Sequence, residues 1–266
     1  MSVLQAIVLG VIQGLTEFLP ISSDGHLTIV PSVLGWDTPS LSFDLALHAG
    51  TLIAVVAYFR ADLVAIVRGL ATRGAEADRV GDRDDARRLA FWLVLGTIPA
   101  GIVGLAFRSS FEALFEEALW ACGFWLVTAA ALVFGEWKHR RVPERTLTTP
   151  MVVAIGIAQV PALAPGISRS GLTIAAGLAL GLSRVDAARF SFLLSIPAVA
   201  GAVLTEVPDV LDGSFVLDGT VLAGFLGALV VGYLAVSLLL RFVRARSLTP
   251  FAVYLVMAAP LAALAL

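Results

Sequence analysis

Charge is scarce in this chain: 14% of its 266 residues are Asp, Glu, Lys or Arg, where a soluble domain carries roughly 25%. The balance is near neutral at −2, so no basic face for nucleic acid is expected. Cysteine is almost absent. Cys122 stands alone in an apolar run, cannot close an internal disulfide, and reads as a small core residue. The start, MSVLQAIVLG, lacks a basic n-region and an A-x-A site, so no cleaved signal peptide is read there. What stands in place of charge is apolar text: 59% of residues are hydrophobic and the mean hydropathy is +0.93. The surplus lies in long runs between charged loops, and about 20 residues suffice to cross a bilayer. The expectation is one all-α integral membrane domain over 1–266.

Apolar segments fall at about 3–19, 26–34, 41–59, 89–107, 118–135, 150–163, 171–182, 186–205, 217–240 and 250–266. Those at 26–34, 150–163 and 171–182 are too short to span comfortably, and such segments are more often re-entrant or interfacial. The first two segments, and later 150–163 with 171–182, flank polar Pro/Gly/Ser turns. Each pair is read as a helix-turn-helix hairpin that enters the membrane and returns. The sequence also repeats with an offset of 146: Gly10-Val11-Ile12-Gln13 recurs as Gly156-Ile157-Ala158-Gln159, and Ile21-Ser22-Ser23-Asp24-Gly25 as Ile167-Ser168-Arg169-Ser170-Gly171. Repeats are therefore placed at about 1–135 and 147–266. Three spans follow each hairpin, about six in all, and an odd number of crossings inverts the second half. Inverted repeats whose broken helices meet near the midplane are a recurrent membrane architecture.

Loop charge orients this arrangement. The loop 60–88 carries Arg60, Arg68, Arg73, Arg79, Arg83, Arg87 and Arg88 among acids. Lys138, Arg140, Arg141 and Arg145 follow in 136–149, then Arg184 and Arg189, then Arg241, Arg244 and Arg246. The predicted spans put all four groups on one side. The other side receives Glu112, Glu116, Glu117, Glu206, Asp209, Asp212 and Asp218. Positive charge marks the cytoplasm, which leaves both termini outside.

Chemistry concentrates in the two turns. Gln13 and Glu17 are four apart and share a helix face. An ionisable residue inside a membrane segment is costly and is a functional candidate by default. Pro20 ends the first helix. Ser22, Ser23 or Asp24 can cap the next one, whose free N–H groups then form an anion site. His26, on its first turn, is a candidate for acid–base work. In the second turn Pro165 and Gly166 break the chain, and Gly166 permits close backbone approach. Ser168 or Ser170 can cap the helix that starts near 171. Arg169 offers a planar fork that matches phosphate oxygens, with Thr173 just beyond. If the repeats meet, this set suits a diphosphate, either for a serine or for a water to attack. Asp44 and His48 share a face of 41–59 and read as an interhelical pair. Gln159 reads as a structural hydrogen bonder, and 74–88 as a solvated loop.

At these residues the chain resembles the undecaprenyl-diphosphatase family, the bacitracin-resistance phosphatases. The resemblance is nearly end to end. It rests on QGLTEFLPISSDGH at 13–26, FDLALHAGTLIAVVAYFR at 43–60, GTIPAGIVGL at 96–105, PGISRSGLT at 165–173 and the stretch that runs on to 202. It implies removal of the distal phosphate of a C55-type polyprenyl diphosphate in the plasma membrane. It further implies dependence on a divalent cation (Mg2+ or Ca2+), an outward-facing site and a homodimer. By motif position Glu17 takes the essential acidic role and Gln13 a place held by Glu or Gln. Ser23 takes the proposed nucleophile position, His26 that of its partner, and Arg169 that of the phosphate-binding arginine. Ser22, Asp24, Gly166, Ser168, Ser170 and Thr173 complete the expected substrate contacts. Asp24 departs from the pattern, where Ser or Thr is usual. Gln13 in place of a second Glu weakens a metal site built on 13 and 17, since hard cations favour carboxylates.

Two mechanisms are open. Ser23 attacks while His26 takes its proton, or Glu17 and a metal activate water; the spacing of Ser23 and His26 favours the first. The alternative class is a polyprenyl-phosphate transporter or flippase, with Arg169 as an anion clamp. A lipid phosphatase with a histidine nucleophile is disfavoured. It needs a second motif histidine, and His139 and His48 lie outside both turns.

Overall fold

The computed structural model describes residues 1–71, 81–112, 114, 118–211 and 218–266. The charges expected at Arg73, Arg79, Arg83, Glu112, Glu116, Glu117, Glu206, Asp209 and Asp212 lie outside the described residues and side chains. Among the described residues all extended regular structure is helical: α1 (Val3–Thr16), α2 (Ser23–Leu34), α3 (Leu41–Tyr58), α4 (Arg60–Ala71), α5 (Gly81–Ala106), α6 (Arg108–Glu112), α7 (Ala118–His139), α8 (Thr149–Ala158), α9 (Arg169–Ala179), α10 (Arg184–Leu211), α11 (Gly219–Ala245) and α12 (Thr249–Ala265). A short 3-10 turn, Val160–Leu163, follows α8.

Five helices are long and apolar enough to cross a membrane: α3, Asp84–Ala106 of α5, α7, Arg184–Thr205 of α10, and α11. This makes the chain a multi-pass membrane protein. Five is one fewer than the six spans expected. The segment 250–266 becomes α12, which has 17 residues. At about 1.5 Å per residue it reaches about 25 Å, at the lower end of the lengths that cross a hydrocarbon core of about 30 Å. The segment 60–88 is not simply a loop either. Its ends are helical, in α4 and in the first turns of α5, while 72–80 lies outside the described residues.

Local sequence explains most of the helix starts. Ser2 and Gln5 form a capping box on α1, and Ser40 accepts the Phe43 N–H at the start of α3. Asp218 caps α11. Bonds from the Thr220 hydroxyl and the Val221 and Thr220 amides hold its carboxyl below the usual range.

Small residues set the packing. α1 lies against α11 with the Gly10 Cα against the Gly224 carbonyl, and Gly14 against Gly232. α8 lies against α5 in the same manner: a Cβ at Gly156 would meet the Gly96 carbonyl at 2.5 Å. Gly10 and Gly156 are equivalent positions of the 146-residue offset. Large apolar side chains such as Val94, Ile102, Leu105, Val230 and Leu238 remain exposed, as lipid contact requires.

Long-range polar contacts gather four basic connections at one end of the molecule. Glu136 of α7 accepts bonds from Arg184 Nε at 2.9 Å, Arg184 Nη2 at 2.6 Å and the Leu248 N–H at 2.8 Å. Arg189 pairs with Asp62 of α4, and the Arg145 N–H donates to the Gly181 carbonyl at 2.8 Å. The starts of α4, α10 and α12, the end of α7 and the link to α8 therefore lie together. The sequence holds no local sign of the Glu136 tie, because its partners come from distant helices.

Candidate functional site

The first turn opens where helix bonding fails. Pro20 has no N–H to give to the Thr16 carbonyl, so α1 ends at Thr16, four residues before the proline. Residues 17–21 form a turn. Ser22 follows at φ +69°, the one non-glycine residue with positive φ among those described. This backbone is costly for serine and persists only where neighbours hold it. Two contacts do so. The Ser22 hydroxyl caps α2 by accepting the Gly25 N–H at 3.3 Å, and its carbonyl lies 2.6 Å from His26 Nδ1.

The second turn repeats the cap at the same offset. The Ser168 hydroxyl accepts the Gly171 N–H at 3.0 Å. Gly166 has φ +91° and packs on the Ala121 backbone, so a side chain there is excluded by both conformation and space. Thr128 of α7 accepts the Ser168 N–H at 2.9 Å and fixes this turn to a spanning helix.

The two turns touch. Gly25 faces Gly166 and Trp125, and Ser170 Oγ donates to the Leu19 carbonyl at 3.2 Å. Arg169 Nη2 donates to Glu17 Oε1 at 2.6 Å. The other carboxylate oxygen, Oε2, accepts the Ser23 hydroxyl at 2.7 Å and Gln13 Nε2 at 3.3 Å. Gln13, Glu17, Ser23 and Arg169 thus form one bonded chain, with Glu17 at its centre. Arg169 is steadied by Nη1 on the Ser191 carbonyl at 3.4 Å, and Thr173 Oγ1 shares a 2.6 Å bond with the Ser191 hydroxyl. Ser168, Ser170 and Thr173 are buried, and their hydroxyls are engaged inside the turn.

One expected pair is not made. His26 does not bond Ser23, because both its nitrogens point elsewhere. Nδ1 meets the Ser22 carbonyl, an acceptor, so Nδ1 carries hydrogen, while Nε2 is 2.7 Å from the Tyr254 hydroxyl. The ring also stacks on Tyr254 and tilts against Trp125, with centroids 5.8 and 4.6 Å away. Serine's partner is Glu17. Spacing along α2 suggested His26, but Ser23 lies at the helix start, where its hydroxyl turns back towards α1. Asp24 turns towards α3, where Oδ1 is 3.6 Å from His48 Nε2. His48 Nδ1 meets the backbone carbonyl of Asp44 at 2.9 Å, so the His48 ring links its own helix to Asp24 of α2.

Residues 6–261 match the family model described as Bacitracin resistance protein BacA. The chain belongs to the BacA family. Relatives named undecaprenyl-diphosphatase include one from Methanosphaera stadtmanae, 42% identical over 96% of this chain and 94% of its own length. Another, from Pelobacter propionicus, is 45% identical over 96% of this chain and 93% of its own. A protein named undecaprenyl-diphosphatase 2 from Stutzerimonas stutzeri is 43% identical over 96% and 94%.

In this BacA-family site the donors fit a preformed metal centre poorly. The described residues contain no group of three or more His, Cys, Asp or Glu placed to hold an ion. Glu17 is the single carboxylate beside Gln13, and its oxygens already serve Arg169, Ser23 and Gln13. Gln13 Oε1 is buried without a bonding partner. One neutral oxygen and one arginine-paired carboxylate are a weak set for a hard dication. Sequence reasoning missed Ser191, Thr128, Trp125 and Tyr254. The hydroxyls of Thr128 and Ser191 inside apolar helices were the available signal.

Proposed function

We propose that this chain is an undecaprenyl-diphosphate phosphatase: it hydrolyses a long-chain polyprenyl diphosphate to the monophosphate and inorganic phosphate, recycling a lipid carrier for cell-envelope glycan synthesis. The observation that carries the reading is the Glu17 carboxylate, held by Arg169 on one oxygen and by the Ser23 hydroxyl on the other. The names of the full-length relatives support the same activity.

Ser23 is the nucleophile and Glu17 its base. Substrate phosphate oxygens draw the Arg169 fork from Glu17, which frees the carboxylate to take the serine proton. Ser23 Oγ bonds to the distal phosphorus as the bridging P–O bond breaks, and the polyprenyl monophosphate leaves. Arg169 stabilises charge on the transferring group. Water then cleaves the phosphoserine and releases inorganic phosphate. His26 positions the reaction by holding the Ser22 carbonyl, and through it the strained turn that presents Ser23.

The architecture in this reading is an inverted repeat with two re-entrant hairpins, α1–α2 and α8–α9. It is supported by Ser22 and Ser168 capping alike, and by the equivalent positions Gly10 and Gly156 each packing on a glycine carbonyl of another helix. The end that gathers the basic connections faces the cytoplasm, so both termini and the site open outward in the plasma membrane. A homodimer completes the assignment.

The test is phosphate release from undecaprenyl diphosphate by the purified protein in detergent, with acid quench to trap phosphate on Ser23. Release together with labelled Ser23 is expected. Ser23→Ala with most of its turnover intact removes the serine route, and no release by wild type removes the hydrolase.

A further inference from the structure

Asp24 presents a physical problem. It follows the nucleophile position directly and lies in the first turn of α2, where a phosphate would meet free backbone N–H groups. A carboxylate there competes for the same donors and repels the substrate. It does neither of the local things open to it. Ser22, not Asp24, accepts the Gly25 N–H. The Asp24 side chain turns instead to α3, where Oδ1 lies 3.6 Å from His48 Nε2.

The hydrogen-bond partners of His48 determine its charge. Nδ1 lies 2.9 Å from the Asp44 backbone carbonyl, which only accepts, so Nδ1 bears a hydrogen. Were the ring neutral, Nε2 would then present a lone pair to the Asp24 carboxylate, and two acceptors would face each other. With Asp24 ionised, the contact is attractive only if Nε2 is protonated as well. Both side chains are partly accessible, at 27% for His48 and 33% for Asp24, so the pair borders the site and is not sealed in the core.

We propose that His48, as an imidazolium, is a positioning residue of the phosphate site: it holds the Asp24 carboxylate on α3 and cancels its charge, leaving the start of α2 to a substrate phosphate. This rests on the phosphatase reading above.

A double-mutant cycle tests it, using the full-length protein in detergent and phosphate release from undecaprenyl diphosphate. His48→Gln keeps a donor for the Asp44 carbonyl but loses the charge. It should raise KM about tenfold and leave kcat within about twofold. Asp24→Asn, which removes the repulsive charge, should lower KM. In the Asp24→Asn background, His48→Gln should have no further effect on KM. An equal KM rise in both backgrounds, no rise at all, or a fall confined to kcat overturns the proposal. Calorimetric binding of inorganic diphosphate to the same four proteins repeats the cycle without turnover. A wild type that binds but releases no phosphate therefore counts against the phosphatase reading, while the binding cycle still decides the role of His48. Thermal unfolding of each variant identifies any that fail to fold; for such a variant, His48→Asn replaces His48→Gln with the same expected coupling.

Discussion

Arg169 and Glu17 are 152 residues apart in sequence and meet at 2.6 Å across the two turns. The pair holds the turns together. Removing one partner leaves the other buried and uncompensated, which costs roughly 3–5 kcal/mol when a pair is fully enclosed. Here the side chains are 14% and 7% exposed, so the lower part of that range applies. Arg169→Ala should lower kcat/KM by about 10²–10³ and reduce the unfolding midpoint, as phosphate-release kinetics and thermal unfolding in detergent will show. Arg169→Lys should recover stability more than activity, because a lysine keeps the charge but not the fork.

Glu17 and His26 separate the two possible bases for Ser23. With Glu17 on the serine hydroxyl and His26 bonded to Ser22 and Tyr254, Glu17→Gln should cost at least about tenfold more kcat than His26→Gln. Phosphoserine should still form in His26→Gln, at a reduced rate. Rapid-quench measurement of labelled Ser23 checks this. A His26→Gln protein unable to phosphorylate Ser23, beside a Glu17→Gln protein that can, would reverse the assignment.

Glu136 predicts the opposite behaviour. Its carboxylate is 2% exposed and ties α7, α10 and α12 at the end bearing the basic connections. Glu136→Ala leaves Arg184 without its partner and the Leu248 N–H without an acceptor. It should lose about 3 kcal/mol of stability. The kcat per folded molecule should stay near that of wild type. Denaturation in detergent and activity normalised to folded protein measure the two separately.

Gln13 bears on the divalent cation that the resemblance implies. A neutral amide beside the single Glu17 carboxylate makes a weak set for such an ion, and Gln13 Oε1 is buried without a partner. Gln13→Glu places a second carboxylate there. Half-maximal activity should then be reached at a Mg2+ or Ca2+ concentration about tenfold lower than in wild type. Titration of chelator-treated protein reads this directly. An unchanged midpoint would detach position 13 from cation use.

The residues legible in advance were those whose partners are close in sequence. Gln13 and Glu17 share a helix face because they are four apart, and they bond as that spacing requires. A serine cap was legible at each turn, but the choice of Ser22 among 22–24 and of Ser168 over Ser170 came from where α2 and α9 begin. Apolar runs located the spanning helices and α12, although the helical ends of 60–88 depart from the expected loop. His26 illustrates the limit. Its spacing from Ser23 was correct for a pair, but two stronger partners took both nitrogens.

Sequence alone determined the membrane class, the two polar turns and the types of group they carry, because hydrophobic run length, caps and four-residue spacings act over one or two helical turns. Tertiary structure decided which of those groups meet. Glu17 meets Arg169 and Ser23, Asp24 meets His48, and Glu136 gathers Arg184 and Leu248. Periodicity along one helix holds no information about which face of a distant helix packs against it. That choice belongs to close contacts such as Gly10 on Gly224 and Gly25 on Gly166, where the lack of a side chain lets two backbones touch.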